Sequence, residues 1–120
     1  MSRTNPAVMA DDPSPRRGEV WLVSFDEVVA GEVRKTRPAV ILSHDTGNAL
    51  LNRVQVVPVS SRVQRPYPSA MDITPNGEPR KAMADQITTA SKRRLHRRLG
   101  VLGPADLDAI GHVIRMHLAL

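Results

Sequence analysis

Short runs of apolar and β-branched residues, separated by turn-forming segments, recur along the chain between residues 17 and 102. Some runs alternate apolar with polar positions, as at 70–73, and others are almost continuously apolar, as at 20–23. Both patterns, over about four to eight residues, are typical of β-strands. They predict strands or extended segments at 17–25, 37–43, 53–59, 70–73, 82–87 and 99–102.

One segment has the period of a helix, and it begins at Pro104. Proline at the first helical position and Asp106 in the first turn both favour a helix N-terminus there. The buried stripe of this helix is predicted at Leu107, Ile110, Val113, Ile114, His117 and Leu118. Turns are predicted at 45–48 and 75–78, and one helical turn in the basic run 92–98. The pattern as a whole predicts a small, strongly curved antiparallel sheet packed against one C-terminal helix.

The length of 120 residues corresponds to a single domain. Residues 1–15 contain three prolines and no sustained periodicity, so we interpret them as a mobile leader and residues 16–120 as the folded domain. The chain has no cysteine, which excludes a disulfide framework and a thiolate metal site. It has neither a secretion signal nor an apolar run near the roughly 18 residues of a membrane span. We therefore expect a cytoplasmic protein that does not enter a membrane.

The net charge of +5 is concentrated in three clusters of basic residues. They lie at 34–37, at 62–65 and, most densely, at 92–98. Such clusters attract polyanions, although a run of charge can also be only a solvated surface. The chain has one Trp, one Tyr and one Phe, too few for the array of stacking platforms found in many proteins that bind single strands.

Two strand ends carry residues that could act on a phosphodiester. Arg37 stands at the start of one predicted strand, and Ser60 and Ser61 stand at the end of the next. If these strands pair antiparallel, the guanidinium and a hydroxyl meet at one rim of the sheet. A fixed cation beside a hydroxyl is the minimum equipment for handling a phosphate diester. Taken alone, Arg37 is more often a strand-end arginine in a surface ion pair, and the two serines are most simply the end of a strand.

The ordered blocks of this sequence resemble the MazF/PemK/Kid family of toxin endoribonucleases. The resemblance runs from about Arg16 to the C-terminus and rests on the blocks at 17–21, 37–43, 57–61, 84–87 and 100–102. It implies an SH3-like barrel of curved antiparallel strands, as in CcdB and PemK, with a C-terminal α-helix. It also implies a homodimer, a cognate MazE-like antitoxin, and cleavage of single-stranded RNA at short sequence motifs. Family members use the substrate's 2′-hydroxyl as nucleophile, leave 2′,3′-cyclic phosphate and 5′-hydroxyl ends, and need no metal or other cofactor.

The resemblance also implies roles for individual residues. Arg37 matches the family's catalytic arginine, and Ser60 stands where a threonine hydroxyl usually contacts the reacting phosphate. Asp85 matches an aspartate that serves some members as general base, but the arginine that accompanies it two residues earlier is Met83 here. Asp85 and Gln86 could instead be a structural pair that satisfies backbone groups. The predicted substrate-binding residues are Glu32, Arg34, Lys35, Ser61, Arg62, Arg65, Tyr67 and Gln86.

Two other functions fit the same scaffold. A toxin like the CcdB family of gyrase poisons would act by binding a protein, and it would not need Arg37 and Ser60 together. A non-catalytic RNA-binding barrel would hold phosphates on its basic loops without cutting RNA. The histidines at 44, 96, 112 and 117 are scattered along the chain and do not predict a metal site.

Overall fold

The fold was obtained as a computed structural model, which describes residues 14–25, 35–61 and 70–120. The strands in these ranges are β1 (Glu19–Phe25), β2 (Lys35–Ile41), β3 (Arg53–Ser60), β4 (Ala70–Ile73), β5 (Arg80–Met83), β6 (Thr88–Ser91) and β7 (Leu95–Val101). The α-helices are α1 (Asp45–Leu50) and α2 (Pro104–Leu118). Short 3-10 helices span Pro75–Gly77, Ala84–Gln86 and Lys92–Arg94. Because every strand pair in the described part is antiparallel, the predicted class of a mainly β fold with a C-terminal helix is confirmed.

Strand β3 pairs with three other strands, because its partner changes along one of its edges. The strand order is β4-β5-β3-β2-β1-β7, and β6 also pairs with β3. Strand β6 lies along Arg53–Val56 of β3, whereas β5 pairs only with Val59 and Ser60 at its end. The 3-10 helix Ala84–Gln86 joins these two partners and lies between them along β3. This change of partner brings β4 and β5 to the end of β3 where Ser60 lies.

Two apolar cores lie on the two faces of the sheet. The helix-side core contains Ile110 and Ile114 of α2, packed against strand residues that include Val40 and Val57. The opposite core contains residues from the alternate positions of the same strands, with Trp21, Phe25 and Leu95 packed at its margin. Alternation of side chains along each strand produces this division, since neighbouring residues point to opposite faces. The cores hold both faces of β2 and β3 in place.

Several predicted boundaries were wrong, each for a local reason. Residues 45–48 belong to the helix α1 rather than a turn, and the side chain of His44 caps it by accepting from the backbone N–H of Gly47 at 3.2 Å. Strand β6 was missed because only Ala90 in it is buried. Strand β7 begins at Leu95 rather than residue 99, since an edge strand tolerates a basic, exposed stretch. Of the residues predicted to form the buried stripe of α2, His117 and Leu118 are exposed.

We expect replacement of Asn48 by alanine to lower the free energy of unfolding by about 1–3 kcal/mol. The Asn48 side chain is 0% exposed and donates to the carbonyl of Ser43 at 2.8 Å. The Ser43 hydroxyl in turn donates to Oδ1 of Asn48. Alanine therefore leaves both the carbonyl and the hydroxyl of Ser43 without this partner. Urea unfolding monitored by circular dichroism would measure the change. The control is Asn52→Ala at an exposed position, for which a change above about 0.5 kcal/mol would contradict the explanation.

Candidate active site

A row of facing residues crosses the rim of the sheet where β2 begins and β3 ends. On β2, Arg37 lies opposite Val23 of β1, and Ala39 lies opposite Pro58 of β3. Arg37 stands two residues before Ala39, and Ser60 stands two residues after Pro58. The pairing of β2 with β3 ends at Ala39 and Pro58. Because residues two apart on a strand share a face, Arg37 and Ser60 are the next residues on that face, just beyond the last pair.

Arg37 is half-buried in apolar surroundings. Its facing residue Val23 and its strand neighbour Ala39 are both fully buried. The guanidinium makes no hydrogen bond or ion pair with any residue in the ranges 14–25, 35–61 and 70–120. A guanidinium without such a partner keeps its planar fork of donors available, and that fork matches the oxygens of a phosphate.

The two serines at the end of β3 are placed differently. Ser60 is half-buried and lies opposite Lys81 of β5, within the ladder. Ser61 follows the strand and is exposed. The row at the rim therefore contains the Ser60 hydroxyl, while Ser61 lies just beyond it.

Lys81 extends this row, and the sequence analysis missed it. Its Nζ lies 2.6 Å from Oδ1 of Asp72, which faces it on β4. The Lys81 side chain is only 12% exposed, whereas that of Asp72 is 81% exposed. The rim thus presents a guanidinium, a hydroxyl, an ammonium and a carboxylate in order across β2, β3, β5 and β4. The pair Arg80-Lys81 was visible in the sequence, but its position beside Ser60 depends on how β5 pairs with the end of β3.

Asp85 and Gln86 lie outside the row. They belong to the 3-10 helix Ala84–Gln86, where Ala84 is buried in the helix-side core and the other two residues are exposed. Neither side chain has a hydrogen bond or ion pair with another residue in the described part of the chain. Met83, which takes the place of the family's accompanying arginine, is buried. Nothing at that position can therefore donate a proton.

Five predicted binding residues lie outside the described residues: Glu32, Arg34, Arg62, Arg65 and Tyr67. Lys35 is described in its backbone alone, where it opens β2 opposite Phe25 of β1. The segment 26–34 connects Phe25 at the end of β1 to Lys35 at the start of β2, and the segment 62–69 follows Ser61. Both predicted loops are thus attached at the rim that carries Arg37 and Ser60.

Two of the histidines have local partners. His44 caps α1, and Nε2 of His96 lies 2.5 Å from Oγ of Ser24. No three His, Asp or Glu side chains within the described ranges come close enough to hold a metal ion. None of the helices in those ranges has the length and apolar character needed to cross a membrane.

A family model and two related proteins match this chain over most of its length. Residues 16–118 match the family model described as a PemK-like, MazF-like toxin of type II toxin-antitoxin system. Endoribonuclease MazF9 of Mycobacterium tuberculosis is 35% identical over 114 residues, which cover 88% of this chain and 97% of that protein. Endoribonuclease MazF of Staphylococcus saprophyticus is 28% identical over 110 residues, covering 88% and 92%.

Solved structures show the same fold. An endoribonuclease from a Mycobacterial species, in complex with its cognate antitoxin, superimposes with a TM-score of 0.73 and 25% identity, covering 88% of this chain and 96% of that one. MazF from Deinococcus radiodurans superimposes with a TM-score of 0.77 and 23% identity, covering 89% and 98%. The curved sheet and its C-terminal helix are therefore shared with these toxins.

Proposed function

Because the chain belongs to the PemK-like, MazF-like toxin family of type II toxin–antitoxin systems, we propose that it is an endoribonuclease that cleaves single-stranded RNA without a metal or other cofactor. The reaction is attack of the 2′-hydroxyl on the adjacent phosphorus, giving 2′,3′-cyclic phosphate and 5′-hydroxyl ends. The observation that carries this proposal is that Arg37, half-buried and without a partner among the described residues, stands at the rim where β3 ends with Ser60.

The chemistry calls for a fixed cation at the phosphate. As the 2′-oxygen bonds to phosphorus, negative charge builds on the non-bridging oxygens before the bond to the 5′-oxygen breaks. A guanidinium already aimed at those oxygens stabilises this state more than the ground state. We assign this role to Arg37, and we assign to Ser60 a hydrogen bond to the same phosphate. Because both groups stand on paired strands, they need little rearrangement when RNA binds.

The reaction also needs two proton transfers, and among the described residues of the row no carboxylate stands beside Arg37 to act as the base. The 2′-hydroxyl must lose a proton and the 5′-oxygen must gain one. Asp85 is the candidate base, and its exposed carboxylate lies on the 3-10 helix rather than in the row. It can serve only if the bound RNA carries the 2′-hydroxyl to that helix. Arg37 is the candidate donor to the leaving oxygen, because the position of Met83 offers none.

The partners follow from the same family. We propose a homodimer in the cytoplasm that is neutralised by a cognate antitoxin. One structural neighbour is an endoribonuclease with its cognate antitoxin, and another is a MazE–MazF complex from Deinococcus radiodurans. A flexible acidic tail would suit the basic rim of this chain, and it would fold as it binds.

A single deoxynucleotide tests the proposed nucleophile. An RNA that the protein cuts at one mapped position is resynthesised with 2′-deoxyribose on the 5′ side of that bond, and both are incubated in excess EDTA. We expect cleavage of the all-ribose strand with a cyclic phosphate end, and none at the modified position. Cutting at the deoxynucleotide, or cutting abolished by EDTA, would contradict the proposal.

Replacement of Ser60 by alanine should lower the cleavage rate by roughly ten- to a hundredfold. This is the effect expected when about one hydrogen bond to a charged group is lost. Ser60→Thr keeps the hydroxyl and adds only a methyl group, so we expect it to stay within a few-fold of the original rate. Single-turnover rates on one RNA would measure both. Ser61→Ala is the matched control, since Ser61 lies outside the row. Equal losses in Ser60→Ala and Ser61→Ala would contradict the assignment.

A further inference from the structure

The proposed reaction leaves the densest cluster of positive charge in the chain unused. The 3-10 helix Lys92–Arg94, here called the basic turn, leads directly into β7. The first residue of that strand, Leu95, lies opposite Val23 of β1, and Val23 lies opposite Arg37 of β2. Two strand spacings, about 10 Å in all, therefore separate Leu95 from Arg37 along the same row. The basic turn precedes Leu95, at the end of this row away from Ser60, and it also lies against Asn52, next to the start of β3.

The backbone of the basic turn is fixed to its neighbours. The hydroxyl of Ser91 accepts from the backbone N–H of Arg93 at 3.2 Å and so caps the turn. The backbone N–H of Lys92 donates to the carbonyl of Asn52 at 2.9 Å. Since these bonds involve only the backbone of the turn, they leave the side chains of Lys92 and Arg93 available.

Of the three side chains of the turn, that of Arg94 bonds to β1, and those of Lys92 and Arg93 remain available. Arg94 donates from NH1 to the carbonyl of Ser24 on β1 at 3.5 Å. Lys92 is partly exposed and Arg93 is exposed, and neither forms a side-chain hydrogen bond or ion pair with a residue of the described ranges. Two positive charges are thus held at a defined place, without a described carboxylate to neutralise them.

We propose that Lys92 and Arg93 form a subsite for RNA phosphates that flank the cleaved bond. The inference rests on the proposed function only for the position of the cut. A strand whose scissile phosphate lies at Arg37 can continue past β1 to the basic turn, where its next phosphates meet fixed cations. Basic side chains that contact phosphates supply affinity without reading sequence. An acidic peptide could also be attracted, but the shared row with Arg37 favours a continuous polyanion that passes both places.

The test compares two double variants that remove the same charge. Lys92→Gln with Arg93→Gln alters the basic turn, and Arg16→Gln with Arg115→Gln removes two exposed cations elsewhere on the fold. The probe is a single-stranded 20-nucleotide 2′-O-methyl RNA of random sequence, which the proposed chemistry does not cut. Binding is measured by fluorescence anisotropy across a range of KCl concentrations. Thermal unfolding of each variant confirms that it is folded.

We expect the slope of log K against log salt concentration to fall by about 1.4 in the basic-turn variant, which corresponds to two phosphate contacts on a single strand. At moderate salt its affinity should be lower by on the order of tenfold, whereas the control should stay close to the original protein. Should the double variant be poorly folded, Arg93→Gln alone should give about half the change in slope, roughly 0.7.

Three results would overturn the subsite. The first is an unchanged slope in the basic-turn variants, and the second is an equal change in the control. The third is that the basic-turn variants lose binding to polyglutamate but keep their binding to RNA. Cleavage of ordinary RNA by the unaltered chain is measured in parallel. If that RNA stays intact while the slope still changes, the nuclease proposal fails and the phosphate-binding site stands.

Discussion

Replacing Arg37 with alanine should lower RNA cleavage by about 10²–10³-fold, the usual effect of removing one preorganised group that stabilises charge in the transition state. The expectation follows from the position of Arg37 at the rim where β3 ends with Ser60, and from the buried residues Val23 and Ala39 near it. Arg37→Lys keeps the charge but loses the planar fork, so its rate should lie between those of alanine and arginine. Single-turnover cleavage of one mapped RNA would measure all three proteins.

The matched control for this prediction is Arg115→Ala. Arg115 lies near the end of α2, away from the candidate site and the basic turn, and it is exposed. It carries the same charge, so its removal controls for a general loss of attraction to RNA. A loss in Arg115→Ala as large as that in Arg37→Ala would mean that the effect is one of net charge and not of the active site. Unfolding curves for both variants should match that of the original protein.

The second large effect is on stability. Glu19→Ala should lower the free energy of unfolding by about 2–4 kcal/mol. The Glu19 side chain is only 10% exposed, and its carboxylate accepts from the backbone N–H of Arg16 at 2.8 Å and from Nε1 of Trp21 at 2.9 Å. Arg98 on β7 forms an ion pair with the other oxygen at 3.3 Å. Alanine would leave these three donors without their acceptor at the junction of β1 and β7.

Two further variants separate the contributions at Glu19. Glu19→Gln keeps one oxygen for Arg16 and Trp21 but turns an amide toward Arg98, so we expect a smaller loss, about 1–2 kcal/mol. Glu78→Ala removes an exposed carboxylate paired with Arg80, for which we expect less than about 1 kcal/mol. Urea unfolding would rank the three. A Glu19→Ala protein as stable as Glu78→Ala would show that the buried hydrogen bonds contribute little.

The placement of Arg37 and Ser60 toward one rim of the sheet could be predicted because it depends on strand ends. The apolar runs that became β2 and β3 mark where each strand begins and ends, and antiparallel pairing then brings those ends together. Two buried faces fix the register, since a slip of one residue would turn each apolar set toward the wrong core. The strand pattern and the family resemblance therefore selected Arg37 and Ser60 as the main candidate residues, and their roles remain predictions.

Other features depend on contacts that no local pattern records. The place of Lys81 follows from β3 exchanging its partner β6 for β5, which is decided by tertiary packing. The helix α1 was read as a turn because its residues are turn-forming, and it is instead stabilised by the His44 cap and buried Asn48. Asp85 and Gln86 were grouped with the site by resemblance, yet they stand on a 3-10 helix beyond the row.

Expression in bacteria separates the nuclease from the other functions of this scaffold. The proposed nuclease arrests growth, leaves cut RNA and loses both effects in Arg37→Ala. A gyrase poison would arrest growth with RNA intact, and a passive RNA-binding barrel would bind RNA without forming products. Co-expression of the cognate antitoxin should restore growth to cells that carry the unaltered chain.

The most direct test of the account is incubation of the purified protein, free of antitoxin, with a mixed pool of single-stranded RNA in excess EDTA, followed by mapping of the product ends. Arg37→Ala, shown to be folded, is incubated in parallel. We predict cuts at one short motif with 2′,3′-cyclic phosphate and 5′-hydroxyl ends, and their loss in the variant. Intact RNA after incubation with the folded original protein, or equal cutting by Arg37→Ala, would contradict the account.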